Sequence, residues 1–135
     1  MPCLESTSRR SAAAILERYF ETFNHNQFAE TAALFSLMGE LHAPFEPPVV
    51  GREPITAYLH REASRMTAHP SSDRQSERLA NDREQIVVQG QVQTTSFKVG
   101  VEWRFIITSE SEIEAVYVKL LASMKDLLSL RPLAQ

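Results

Sequence analysis

The stretch KVGVEWRFII, Lys98 to Ile107, alternates along its whole length. Val99, Val101, Trp103, Phe105 and Ile107 fall on one side, and Gly100, Glu102, Arg104 and Ile106 on the other. A period of two sustained this long is that of a β-strand with one buried face. Its neighbours in the chain read the same way. SERLA at 76–80, EQIVVQGQVQTT at 84–95 and EIEAVYVKLLAS at 112–123 are further strands. Asn81-Asp82 and the TSESE run at 108–112 supply turns, so these strands should meander antiparallel. The last strand is apolar on both faces, with Val116, Val118 and Leu120 against Ile113, Ala115, Tyr117 and Leu121. Such a strand is usually covered on both sides.

Upstream the period changes to that of a helix. Ser11 suits an N-cap, and Ile15, Leu16, Tyr19, Phe20 and Phe23 form one stripe behind it. NHN at 24–26 breaks this helix. A second helix is expected from about Gln27, capped by Asn26, presenting Phe28, Ala32 and Phe35 and ending at Gly39. ELHAPF at 40–45 reads as a short strand stopped by Pro47 and Pro48, since proline cannot donate to a ladder. Gly51 then turns the chain into a third helix with Pro54 in its first turn and Ile55, Leu59, Ala63 and Met66 as its stripe. Residues 67–72 read as loop. MKDLLSLRPL is expected as a final helix, ending at Pro132 and covering part of the outer sheet face. Helices followed by long strands predict an α+β fold: one curved antiparallel sheet wrapped by N-terminal helices, with a C-terminal helix over 123–131. Residues 1–10 are expected to be loose, and 1–135 to form one domain.

The bulk numbers fit that reading. A chain of 135 residues, 43% hydrophobic and 23% charged, has one core and no compositional mark of disorder. A net charge of −3 argues against nucleic acid as a partner. No apolar run reaches the length of a membrane span, and MPCLESTSRRS lacks the apolar core of a signal peptide, so a cytoplasmic location is expected. Cys3 is the single cysteine; it permits a cross-link only between chains.

No zinc spacing, phosphate loop or nucleophilic triad is present in the sequence. Glu40 and His42 share a face of their strand, as an acid–base pair lining a pocket would, or as a solvated pair at a strand end would. Glu62 and Lys119 are charges beside apolar stripes, which suits a rim or an interface. Tyr19 and Trp103 point inward by their own periodicity, and each has a polar tip that needs a partner once buried. That partner is either the protein itself, through a backbone carbonyl or a water, or something the protein binds.

The order of elements, with LHAPFEPPVVGREPITAYL at 41–59, resembles the nuclear transport factor 2-like superfamily, a cone of helices on a bent sheet that serves enzymes and binding modules alike. YFETFNHNQF, ALF, PFEPPVVGRE, GQVQTTSF, VEWRF, KLLAS and LLSLR, in this order from about Tyr19 to Arg131, more narrowly resemble the C-terminal domain of the orange carotenoid protein and its free-standing homologues. The resemblance implies a non-enzymatic keto-carotenoid binding and transfer protein with a photoprotective, singlet-oxygen-quenching role in cyanobacteria. It implies that Tyr19 and Trp103 donate to the ring carbonyl of a canthaxanthin- or echinenone-like pigment. Met66, Ala68, Phe97 and Val118 would line the tunnel, and Glu62 would lie at the interface rim. One cone cannot enclose so long an apolar rod, so a second copy of the chain sharing the pigment is the expected partner, with a helical carotenoid protein as donor or acceptor and a membrane touched transiently during pigment uptake. The sequence departs from the pattern at Thr95 and Ser96, where two-domain members tend to carry proline and tryptophan, and at Lys119, where they tend to carry an acid. The competing readings are an isomerase or dehydratase of the same fold using Glu40 and His42, and a dimerising module without a ligand.

Overall fold

A computed structural model describes residues 11–121. Three helices and six strands make up the α+β fold: α1 (Ala12–Asn24), α2 (Phe28–Ala33), β1 (Phe35–His42), β2 (Val49–Val50), α3 (Arg52–Glu62), β3 (Thr67–Arg78), β4 (Glu84–Gln93), β5 (Lys98–Ile107) and β6 (Ile113–Leu120). The expected final helix and the N-terminal ten residues lie outside the described residues. Among the described residues no helix is long and apolar enough to cross a membrane.

α1 forms where its stripe predicts. The Ser11 hydroxyl accepts from the Ala14 N–H at 3.1 Å, closing one of the helix's free donors. Ile15, Leu16, Tyr19, Phe20 and Phe23 are all buried. Asn26 follows at φ 58°, a left-handed turn that asparagine tolerates.

The second helix is shorter than expected. It is flanked by Gln27, not Asn26, and ends at Ala33. Phe35 to His42 form a strand through Gly39, although Leu37, Met38 and Glu40 are good helix formers. The cause is tertiary: β6 offers this segment a ladder, beginning where the Ile113 N–H donates to the Leu34 carbonyl at 2.9 Å. Gly39 sits at the irregular part of that pairing. A Cβ there would meet the Ile113 carbonyl oxygen at 3.0 Å and the Phe35 Cβ at 2.9 Å.

α3 starts after Gly51, at φ 98°, and buries Ile55 and Leu59. Residues 67–72, expected as loop, belong to β3. As an edge strand β3 keeps most of its side chains exposed, so the segment lacks an apolar alternation to announce it.

The sheet order is β2-β1-β6-β5-β4-β3. The meander from β3 to β6 is antiparallel as expected, while β1 joins β6 parallel and makes the sheet mixed. The helices lie against the face that carries Val101, Trp103, Phe105 and Val116, and the core sits between them.

Candidate functional site

Period-two geometry makes one lane of the inner sheet face. Along β5 the inward side chains are Phe105, Trp103, Val101 and Val99, each step about 6.7 Å. Val88 and Val118 flank Trp103 in register; Gly90 and Leu120 flank Val101; Val92 lies opposite Val99, with Ala68 opposite Val92. Phe97 stands just beyond the strand end, 55% exposed. From Trp103 to Phe97 the lane runs roughly 20 Å, apolar along its length.

α1 closes the inner end of this lane. Tyr19 meets Phe105 edge to face at a centroid distance of 5.1 Å, and Phe20 meets Trp103 edge to face at 4.9 Å. Tyr19 also meets Phe20 at 5.3 Å, so one phenylalanine touches both candidate anchors. Such crossings suit the ring quadrupoles.

Tyr19 is 2% exposed and Trp103 4%. Among the described residues neither the Tyr19 Oη nor the Trp103 Nε1 has a protein hydrogen-bond partner. No side-chain nitrogen or oxygen among those residues is both sealed from solvent and unpaired. Neither tip is therefore completely sealed from solvent. A polar tip inside an aromatic cluster without a protein partner takes its acceptor from water or from a bound molecule.

Burial raises the Tyr19 pKa well above the ordinary tyrosine value. The hydroxyl thus stays a donor throughout the physiological range. The folded state holds this proton more tightly than the unfolded chain, so stability is unaffected below the unfolded pKa of about 10 and falls as pH rises past it. Wild type should lose urea resistance between about pH 10 and 11.5 more steeply than Tyr19→Phe. Equal slopes would contradict the buried neutral phenol.

The other expected site residues are spread along the lane. Met66 and Val118 are partly buried against the core, and Ala68 is 3% exposed. Glu62 is exposed at the end of α3 and pairs with Arg61 at 3.2 Å. Glu40 and His42 do meet, with Nε2 and Oε1 2.8 Å apart. They do so on the opposite face of the sheet, where His42 stacks on Tyr117 at 4.3 Å. Leu41 between them faces the core, so this pair cannot line the lane, and the acid–base reading loses its pocket.

Sequence reasoning missed Asn24. Its Nδ2 donates to the Ala68 carbonyl at 2.9 Å, and its Oδ1 accepts from the Ala68 N–H at 2.7 Å. No local signal could reveal this, because the partner lies 44 residues away.

Two clefts lie elsewhere. One of about 400 Å³ is lined by Arg18, Glu30 and Glu112 among others. The second, of about 740 Å³, lies by Arg74, Gln89 and Glu102. Neither is lined by Tyr19 or Trp103, which lie buried between α1 and the sheet.

The nuclear transport factor 2 (NTF2) domain model matches residues 11–120. An orange carotenoid-binding protein of Limnospira maxima is 35% identical over 117 residues, and one of Synechocystis sp. is 34% identical over 120. These alignments cover 84% and 86% of this chain and 37% and 38% of the relatives. The solved orange carotenoid protein of Anabaena (Nostoc) sp., which binds canthaxanthin, superposes with a TM-score of 0.76 at 30% identity, over 85% of this chain and 38% of that one. The chain thus spans less than two fifths of each of these relatives, as expected of a homologue of one domain.

Proposed function

Since this chain belongs to the nuclear transport factor 2 domain family and is homologous to orange carotenoid proteins, we propose that it binds a keto-carotenoid in the lane along β5. The observation that carries the reading is the pair of buried donors, Tyr19 and Trp103, whose tips lack a protein acceptor among the described residues. Both would donate to one ring carbonyl and fix the register of the pigment. The polyene would lie over Val101 and Val99 toward Phe97, with Val118, Ala68 and Met66 at its sides. Its transfer from water is driven by buried apolar area, and the two donors supply orientation, the usual division in an apolar pocket.

A ring cannot enter beneath α1 as it lies here, so binding includes a separation of α1 from the sheet. A pigment longer than the lane leaves its far end uncovered. A second copy sharing the same pigment would cover it, and a helical carotenoid protein would be the natural donor or acceptor. Pigment taken up, held and passed on in this way would serve photoprotection.

The test is reconstitution with canthaxanthin and a visible spectrum. Wild type should give coloured protein with a red-shifted band. Tyr19→Phe and Trp103→Phe should each move that band to the blue or weaken binding by roughly 2- to 10-fold, the scale of one net hydrogen bond. Colourless wild type, or two variants with unchanged spectra and retention, would remove the anchoring.

A further inference from the structure

Asn24 ends α1, four residues after Phe20 and thus on the same side of the helix. α1 therefore meets the sheet at two places. Phe20 rests on Trp103 of β5, and the Asn24 amide grips Ala68 of β3. The second contact is reciprocal, one donor and one acceptor on each side. Ala68 pairs with Val92 across the β3–β4 ladder, but its own N–H and C=O point the other way, off the sheet edge. The Asn24 carboxamide takes the place that one residue of a seventh strand would occupy. It satisfies two edge groups that would otherwise require water.

The placement has a consequence for the lane. Ala68 forms its side wall opposite Val92, and Tyr19 and Phe20 form its closed end. One side chain ties wall and end together. We propose that Asn24 is a positioning residue for the apolar ligand: it latches α1 to β3, sets how closely helix and sheet grip a bound chain, and must release or strain when α1 separates from the sheet. This rests on the carotenoid reading for the identity of the ligand, but not for the latch.

Two measurements separate the latch from the ligand. The first needs no pigment. By amide hydrogen exchange, Ala68 should be protected in wild type and exchange roughly tenfold or more faster in Asn24→Ala, the scale of one or two lost hydrogen bonds. Amides in the centre of β5 should keep their protection. Asn24→Asp, which keeps the shape but turns an oxygen toward the Ala68 carbonyl, should behave like Asn24→Ala. The second measurement uses canthaxanthin-loaded protein and transfer into phosphatidylcholine vesicles, well below the unfolding temperature. Both variants should release pigment roughly tenfold faster than wild type, while Asn24→Gln should not match wild type, its amide standing one methylene too far out. A merely structural role would lower the melting temperature and leave release unchanged. Unchanged Ala68 exchange overturns the latch. Accelerated exchange with unchanged release overturns the positioning role. A wild type that takes up no pigment while Ala68 exchange responds as stated overturns the carotenoid reading and leaves the latch standing.

Discussion

Phe105→Ala should destabilise the protein by about 3–5 kcal/mol, the usual range for emptying a phenylalanine site in a core. Phe105 is fully buried, flanked in register by Ile86 and Val116, and it receives Tyr19 at 5.1 Å and Phe20 at 5.8 Å. The side chains around it belong to a strand interior and a helix stripe, and neither can slide into the void without breaking its own ladder or turn. A domain of this size has about 5–15 kcal/mol in hand, so the variant should remain folded but sit near its limit. Urea denaturation measures the difference directly. A loss under about 1 kcal/mol would mean that the cluster collapses freely, contrary to close-packed interiors. The variant should also load canthaxanthin poorly, because Phe105 is the surface against which the phenol of Tyr19 is set.

Gly90→Ala should be the second large effect, and it acts through backbone. A Cβ on Gly90 would lie 2.3 Å from the His69 carbonyl oxygen and 2.8 Å from the Pro70 Cα. Both are main-chain atoms of β3, directly opposite in the ladder, next to the register shift between Pro70 and Arg74. No rotamer change can clear them. β3 must move off β4, which costs at least the 1–3 kcal/mol of ordinary overpacking. The displaced segment runs through Ala68, so the variant should raise the exchange of the Thr67–His69 amides as well as lower the urea midpoint. A midpoint within error of wild type would show that β3 tolerates the shift and that the close approach is incidental.

The parts that were legible in the sequence are those whose partners are local or whose period is strong. Ser11 and the stripe from Ile15 to Phe23 give α1 its start and its face. Alternation gives β5 and β6 their faces, and with them the inward direction of Trp103. What failed was decided by distant neighbours. Leu37, Met38 and Glu40 favour helix taken alone, yet β6 makes that segment a strand. Thr67 to Ser72 read as loop because most of β3 is exposed and its only covered residues here are Ala68 and Pro70, the latter a residue type that usually marks a turn. The same division holds at the site. Periodicity turns Tyr19 and Trp103 inward, but only the assembled cluster shows that no group among the described residues accepts from them. Asn24 looks like the end of a helix and nothing else until Ala68 arrives beside it.

The parallel join of β1 to β6 has a consequence for the order in which the molecule can be made. Phe35 to His42 emerge from the ribosome well before Ile113 to Tyr117, which complete their ladder. Closing so long an intervening segment carries a large entropic cost, and non-local pairing of this kind slows folding. Until β6 is released, β1 has only the two-residue β2 beside it, and Phe35, fully buried in the finished fold, has no sheet to enter. The nascent chain thus carries an unpaired edge and a bare aromatic cluster on α1 until β6 emerges, the state in which a chaperone or a second nascent copy would find it.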